Sequence, residues 1–308
     1  MRRRFSATVP IVLSLIDAEI PDVDRRVSLF SGNVFVYSPR PTTRALCASA
    51  HSILGRVFGP QPVHAQQRLS EAPFSSLFLE ATGQLAEVIP ELASAVVVDF
   101  DCDPNSTFVG GATISATTGL GFLAHGLGVP QHPHRDTWYA AAACQLNWWL
   151  PLFDLDSSAS FAFHPSYWDT PVHNNSGEFR FDDWVDSTRQ VAAMPTEEWL
   201  SHPRPLEPID LHPEIRICCP AGGVVISSVA QLYSAVPNET SKTHFSVHFQ
   251  TVSERDLEAG RGAVNLDASP HGTSLSSFVR CSDLSPIPAE LIARYLERSR
   301  GRPGRTDE

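Results

Sequence analysis

The feature that most limits how this chain can fold is a change of hydrophobic period about a third of the way along it. In TTRALCASAHSILGRVF the apolar residues fall at Leu46, Ala50, Ile53, Leu54 and Val57, a helical spacing with Thr42 or Thr43 as cap. A second helical region covers about Ser75 to Leu92, interrupted near Pro90. From AVVVDF (Ala95–Phe100) onward the character changes. Short strand-like segments follow, TFVGGATISAT, WYAAAACQLNWWLPLF, SFAFHPS, IRICCP, GGVVISS and THFSVHFQTV, separated by Pro, Gly, Asn and Asp clusters. One earlier strand is expected at NVFVYS (Asn33–Ser38), and PAELIARYLERSR (Pro288–Arg300) reads as a terminal helix before a frayed tail. Helices first and many short strands after them predict an α+β, mainly β fold, with a helical layer outside an antiparallel sandwich or barrel. A jelly roll is the best single expectation. A doubly wound sheet is disfavoured, because helices and strands do not alternate and no glycine-rich phosphate loop follows a strand.

Composition narrows the function. Hydrophobic residues make up 42% of the 308 and charged residues 19%, enough for a sizeable core. A formal charge of −11 argues against a nucleic-acid binder, which needs a basic face. Six cysteines with no CxxC pair read as reduced thiols of a cytoplasmic protein, with Cys218 and Cys219 buried in an apolar strand. The start, MRRRFSATVPIVLSLIDAEI, imitates a signal peptide. Its apolar run is short, meets Asp17 and Glu19 and lacks a small-x-small cleavage site, so it is expected to dock on the core. No apolar run approaches the ~20 residues that span a bilayer. A small molecule is the expected partner, with neither nucleic acid nor membrane; the sequence assigns no oligomeric state.

The chemistry starts at HPHRDTW, where His134 and Asp136 are two apart. Strand alternation would put both side chains on one face, where an imidazole and a carboxylate can hold one metal ion. Alone the motif is weak, since a chain with 12 His and 34 acidic residues contains such pairs by chance, and a structural ion pair explains it equally well. The HRD of a kinase catalytic loop is excluded, because no glycine-rich loop, paired Lys or DFG accompanies it. In THFSVHF, His244, Ser246 and His248 alternate with Phe245, Val247 and Phe249, so the three polar residues share one face. Gln145 and Asn147 in CQLNWW either reach a co-substrate or satisfy buried backbone. Trp138, Trp148 and Trp149 read as core, His164 as a structural histidine or a pocket-mouth residue, and PVHNNSGEF as a loop or lid.

Three longer stretches resemble a bacterial group of phytanoyl-CoA dioxygenase-like proteins, non-haem Fe(II)- and 2-oxoglutarate-dependent oxygenases. They are HPHRDTWYAAAACQLNWWLPLFDLDSSASFAFHPSYWDTPVHNNSGEF, PAGGVVISSVAQLYSAVPNETSKTHFSVHFQTV and GRGAVNLDASPHGTSLSSFVRCSDLSPIP, and the likeness covers most of the chain after Leu29. The resemblance implies a double-stranded β-helix (a jelly-roll, cupin-like barrel) with flanking helices and the metal at one open end. It implies one domain over residues 1–308, with a helical flank at 1–94, the jelly-roll core at 95–285 and a helix and tail at 286–308. His134 and Asp136 would be the first two Fe(II) ligands. A distal His should complete the facial triad within QLYSAVPN, and there Tyr233 stands. An Arg should clamp the remote carboxylate of 2-oxoglutarate where His244 stands, and a second Arg is replaced by Gln250. Asn147, Gln145, His244 and Ser246 are the candidate contacts to co-substrate or substrate. The expected function is oxidative tailoring of a small molecule in a biosynthetic pathway, by a divergent enzyme of this type. Two alternatives stand beside it: a metal-free enzyme using His134 or Asp136 as acid or base with Tyr233 as proton donor, and a non-catalytic binding protein.

Overall fold

The computed structural model describes residues 14–123, 132–155, 157, 160–190 and 202–300. Residues 1–13 and the last eight lie outside them, and with them the expected frayed tail; of the N-terminal segment expected to dock on the core, Ser14–Ile16 is described and pairs in parallel with residues 34–36.

The fold is mixed, with a large sheet and several helices. In chain order the elements are β1 (Ser14–Ile16), α1 (Asp22–Phe30), β2 (Val34–Tyr37), α2 (Pro41–Phe58), α3 (Glu71–Asp99) and β3 (Thr107–Thr117). Then come β4 (Leu146–Pro151), β5 (Phe161–Phe163), α4 (Phe181–Gln190), β6 (Ile215–Arg216), β7 (Val224–Ser228) and β8 (Tyr233–Ala235). The chain continues through β9 (His244–Ser253), α5 (Glu254–Ala259), β10 (Val279–Arg280) and α6 (Ala289–Arg300). The large sheet has the order β1-β2-β7-β4-β9-β3-β10, and its pairs are antiparallel except β1–β2. A second, antiparallel sheet, β6-β5-β8, lies over one face of it, with Phe163 packed in one apolar cluster with Val225.

The expectation of a mainly β chain is corrected: among the described residues helices hold more of the chain than strands. Two segments account for much of this. The apolar run at 95–99 ends α3 rather than opening the strand-rich part, because Phe74, Phe78, Ala81, Leu85, Ile89, Ala93 and Val96 form one buried stripe at helical spacing straight past Pro90. The segment WYAAAACQLNWWLPLF forms strand only over Leu146–Pro151; Asp136–Tyr139 is a 3-10 turn closed by Ala140 at φ 64°. The cap of α2 is Arg40, with Pro41 at the first helical position, where its missing N–H costs nothing. Thr43 accepts from the Arg40 N–H at 2.9 Å. By length and composition α3 would also cross a membrane, but the stripe named above is buried in the protein core.

Strand parity positions the site. Leu146, Trp148 and Leu150 of β4, Phe245, Val247 and Phe249 of β9, and Ile114 and Ala116 of β3 are buried in one cluster with α2 and α3. Each of the Leu, Ile, Val and Phe side chains among them contributes about 1.5–3 kcal/mol by leaving water. The opposite parity, Asn147, Trp149, His244, Ser246, His248, Ser115 and Thr117, faces the small sheet. A one-residue slip would exchange these two sets, so core burial fixes which side chains reach the cavity. Cys219 is buried and its thiol pushed up to about 12, chiefly by burial, whereas Cys218 is exposed, which corrects the expectation of two buried thiols.

Candidate active site

His134 and Asp136 meet, but not through a regular strand. His134 forms a single antiparallel bridge with Tyr233, each backbone N–H donating to the other's carbonyl at 3.0 Å. Asp136 opens the 3-10 turn, its N–H donating to the Val229 carbonyl at 3.1 Å. The bridge and the turn together bring three side-chain atoms to one point. His134 Nε2 lies 3.0 Å from the Tyr233 hydroxyl and 3.6 Å from Asp136 Oδ1, and the Tyr233 hydroxyl donates to that same Oδ1 at 2.9 Å. His134 Nδ1 is 2.8 Å from the His132 carbonyl, which only accepts, so Nδ1 carries a proton and the ring is oriented from behind.

The second carboxylate oxygen is held from the other side. Asn147 Nδ2 donates to Asp136 Oδ2, and Gln250 Nε2 reaches it at 3.5 Å while donating to Asn147 Oδ1 at 2.9 Å. Gln145 Nε2 donates to Gln250 Oε1 at 2.9 Å, and Gln145 Oε1 accepts from Ser274 at 2.9 Å and from the Ala142 N–H. All three amides therefore direct their NH2 groups toward Asp136. Burial alone would raise the Asp136 pKa, but the hydrogen bond and charge of His134, the neighbouring His248 and the Asn147 donor outweigh it and hold the carboxyl below the usual range. The Tyr233 phenol is driven well above its ordinary value by burial first and by Asp136 second.

The three atoms lie behind the wall of a cavity of about 70 Å³ between the two sheets. Ser115, His244, Ser246, His248 and Asn147 form a polar wall; Trp149, Phe161 and Phe163 form an aromatic one. Tyr233 lines this cavity and His134 and Asp136 do not, so the Tyr233 side chain stands between the pair and any ligand there. No Lys or Arg is among the described lining residues. His248 is held toward its neutral form, burial outweighing the attraction of Asp136.

Of the residues singled out in the sequence, His134, Asp136 and Tyr233 are brought together, and Asn147, His244 and Ser246 reach the cavity. Gln145 does not: it is fully buried behind Gln250, a support for the amide chain rather than a contact for a ligand. Trp149 lines the cavity while Trp138 and Trp148 are buried. His164 is structural, bonded to the Leu211 carbonyl and to the Ser234 hydroxyl at 2.9 Å each. PVHNNSGEF is no cavity lid, since none of its residues lines the wall; Asn174 bonds to the Val172 and Asp267 carbonyls instead. Sequence reasoning missed Ser115, whose hydroxyl lies 2.6 Å from that of Ser246. Alternation in TISAT places it on the Thr117 face, but the irregularity between Gly110 and Thr113 hides the period.

No protein-family model and no curated protein matches the chain. Among solved structures it is similar to EvdO2 from Micromonospora carbonacea var. aurantiaca complexed with 2-oxoglutarate, at 12% identity over 77% of this chain and 92% of that one, with a TM-score of 0.45. A further EvdO2 structure is matched over only 64% of its length. It is also similar to the non-heme monooxygenase ThoJ in its apo form (13% identity, 82% and 88% covered, TM-score 0.41). A third is the epimerase SnoN in complex with Fe3+, alpha ketoglutarate and nogalamycin RO (14%, 76% and 85%, 0.40). Likeness at this level carries no weight for the chemistry, which rests on the side chains.

Proposed function

We propose that this chain is a small-molecule tailoring enzyme on a double-stranded β-helix of the Fe(II)/2-oxoglutarate oxygenase type, with His134 and Asp136 as the first two donors of a metal centre. The observation that carries this reading is the convergence of His134 Nε2 and Asp136 Oδ1, 3.6 Å apart and each oriented from behind, next to Tyr233, which lines the cavity. Neighbouring donors on one octahedral ion with ~2.1 Å bonds lie roughly 3.0 Å apart, so a small adjustment brings the pair to one ion. Among the described residues no third His, Cys, Asp or Glu joins them. These residues fit a metal ion, which would supply redox or Lewis-acid chemistry when bound.

They do not fit 2-oxoglutarate by a guanidinium clamp. The seat expected for that Arg holds His244, and the described cavity wall offers a dicarboxylate no Lys or Arg. Arg135 cannot substitute: it is buried and turned away, bonded to Asp267 Oδ2 at 3.1 Å and to the carbonyls of Ala230, Tyr167 and Thr170. Lys242 does not line the cavity either. No step is therefore routed through that co-substrate. What the chain itself supplies is an aromatic wall on one side of the cavity, hydroxyl and imidazole groups that orient a ligand, and Asp136 held ionised chiefly by His134, with His248 and Asn147 adding to it.

One observation favours a second, metal-free reading. The Tyr233 hydroxyl joins His134 to Asp136, and of the three residues Tyr233 alone lines the cavity, so it is the group through which either residue would act on a ligand there as acid or base. Equilibrium metal binding by the purified chain decides between them. We expect binding of one iron ion that is lost in His134→Ala and Asp136→Ala; no iron binding by the parent chain would leave the metal-free reading.

A further inference from the structure

The Tyr233 hydroxyl completes a triangle whose edges are 2.9, 3.0 and 3.6 Å. Three donors sharing one face of an octahedral ion have edges of about 3.0 Å. Two of the three edges already have that length. Tyr233 also occupies the fixed end of β8, paired on one side with Phe163 and on the other with His134, so its place is set by backbone rather than by a mobile side chain. Nδ1 of His134 donates to the His132 carbonyl, so Nε2 is the ring nitrogen turned into the triangle, and in the neutral ring it carries the lone pair. Asp136 offers Oδ1 alone, since Asn147 engages Oδ2.

We propose that Tyr233, as phenolate, is the third protein ligand of an iron site with His134 and Asp136, and that this N,O,O set selects Fe(III) over Fe(II). The inference rests on the metal-centre reading above. Its chemistry is simple: the Tyr233 O–H bond breaks, the proton leaves to solvent and an iron–oxygen bond forms, with no change of oxidation state. A phenolate is a hard anionic donor, and beside a carboxylate it places two negative charges on one ion. Hard donors of that charge match a small trivalent cation better than a divalent one.

The test uses the full chain, stripped of metal and free of 2-oxoglutarate. It is titrated in air with ferric nitrilotriacetate and, without oxygen, with ferrous ammonium sulfate. We expect one ferric ion per chain, a visible phenolate-to-iron charge-transfer band rising in step with occupancy, and ferrous binding at least tenfold weaker. Resonance Raman excitation in that band should show tyrosinate ring modes in the parent protein, a readout that needs no variant to fold. Tyr233→Phe should lose the band and bind Fe(III) at least tenfold more weakly. Tyr233→His should stay colourless and prefer Fe(II). Ferric uptake by the parent without the band, or a band that survives in Tyr233→Phe, overturns the Tyr233 assignment while leaving a metal enzyme. No uptake of either ion, by parent or by Tyr233→His, overturns the metal-centre reading itself.

Discussion

At the residue scale the site is a carboxylate kept charged in a buried place, and its donors set the cost. Asn147→Leu removes the donor to Asp136 Oδ2 and strands the Gln250 amide that bonds to Asn147 Oδ1 at 2.9 Å. An unsatisfied buried partner of a charged group costs about 1–3 kcal/mol, so we expect the unfolding free energy from urea titration at neutral pH to fall by that amount. Asn147→Ser, which can still donate, should recover part of it. A second expectation concerns His202, buried against Tyr139 with its Nδ1 3.4 Å from the phenol oxygen. Burial, and after it the charge of His134, lowers the His202 pKa to about 4. Its folded value thus lies below its unfolded value near 6.5. Between the two the unfolded chain binds a proton that the native chain does not. The His202 contribution is therefore complete above about pH 6.5 and is lost as the pH falls toward 4, by up to roughly 3 kcal/mol. Stability measured across that window should fall with acidification, and His202→Phe should flatten the slope.

At the element scale, what was legible was what is local and periodic. The alternation in THFSVHF placed His244, Ser246 and His248 on the cavity face because β9 is central and its other face is packed by Phe245, Val247 and Phe249. The helix α1 was invisible for a physical reason. Its buried face is largely charged, with Asp22, Arg25 and Arg26 joined to one another and to Asp256, while the apolar Val23 and Val27 are exposed, so its apolar residues do not mark the face that packs. The meeting of His134 with Asp136 was expected from strand alternation and comes instead from one bridge and a 3-10 turn, neither of which has a sequence period. Gln145 alternates as a cavity residue would, yet the neighbouring Ser274 and Ala142 draw it into the amide chain. Pro90 was the plainest misdirection. It reads as a break, but α3 continues through it, and the Ser94 hydroxyl donates to the Pro90 carbonyl at 2.7 Å. An interior proline removes one helix hydrogen bond and costs ~3 kcal/mol, so Pro90→Ala should raise stability by about 1–3 kcal/mol, read as a higher Tm.

At the scale of the whole molecule, charge decides which ligands the cavity admits. The chain carries a formal charge of −11, and the described cavity wall holds histidines where a guanidinium is expected. His248 there is held toward its neutral form. A dianion entering this space gives up its hydration without gaining a cation, whereas an uncharged molecule with an apolar body and a few hydroxyl or carbonyl groups meets an aromatic wall on one side and Ser115, Ser246 and Asn147 on the other. Missing one charge-assisted hydrogen bond costs about 1.5–3 kcal/mol, a tenfold to hundredfold loss of affinity. We therefore expect weak 2-oxoglutarate binding by calorimetry and a gain of at least tenfold in His244→Arg, since that side chain already points into the cavity from β9. The gain should vanish as salt is raised only in part, because an enclosed pair is screened less than an exposed one. Tight binding by the parent chain, undiminished in His244→Ala, would mean that a cation outside the described cavity wall has taken over the clamp, and the neutral-ligand argument would fall with it.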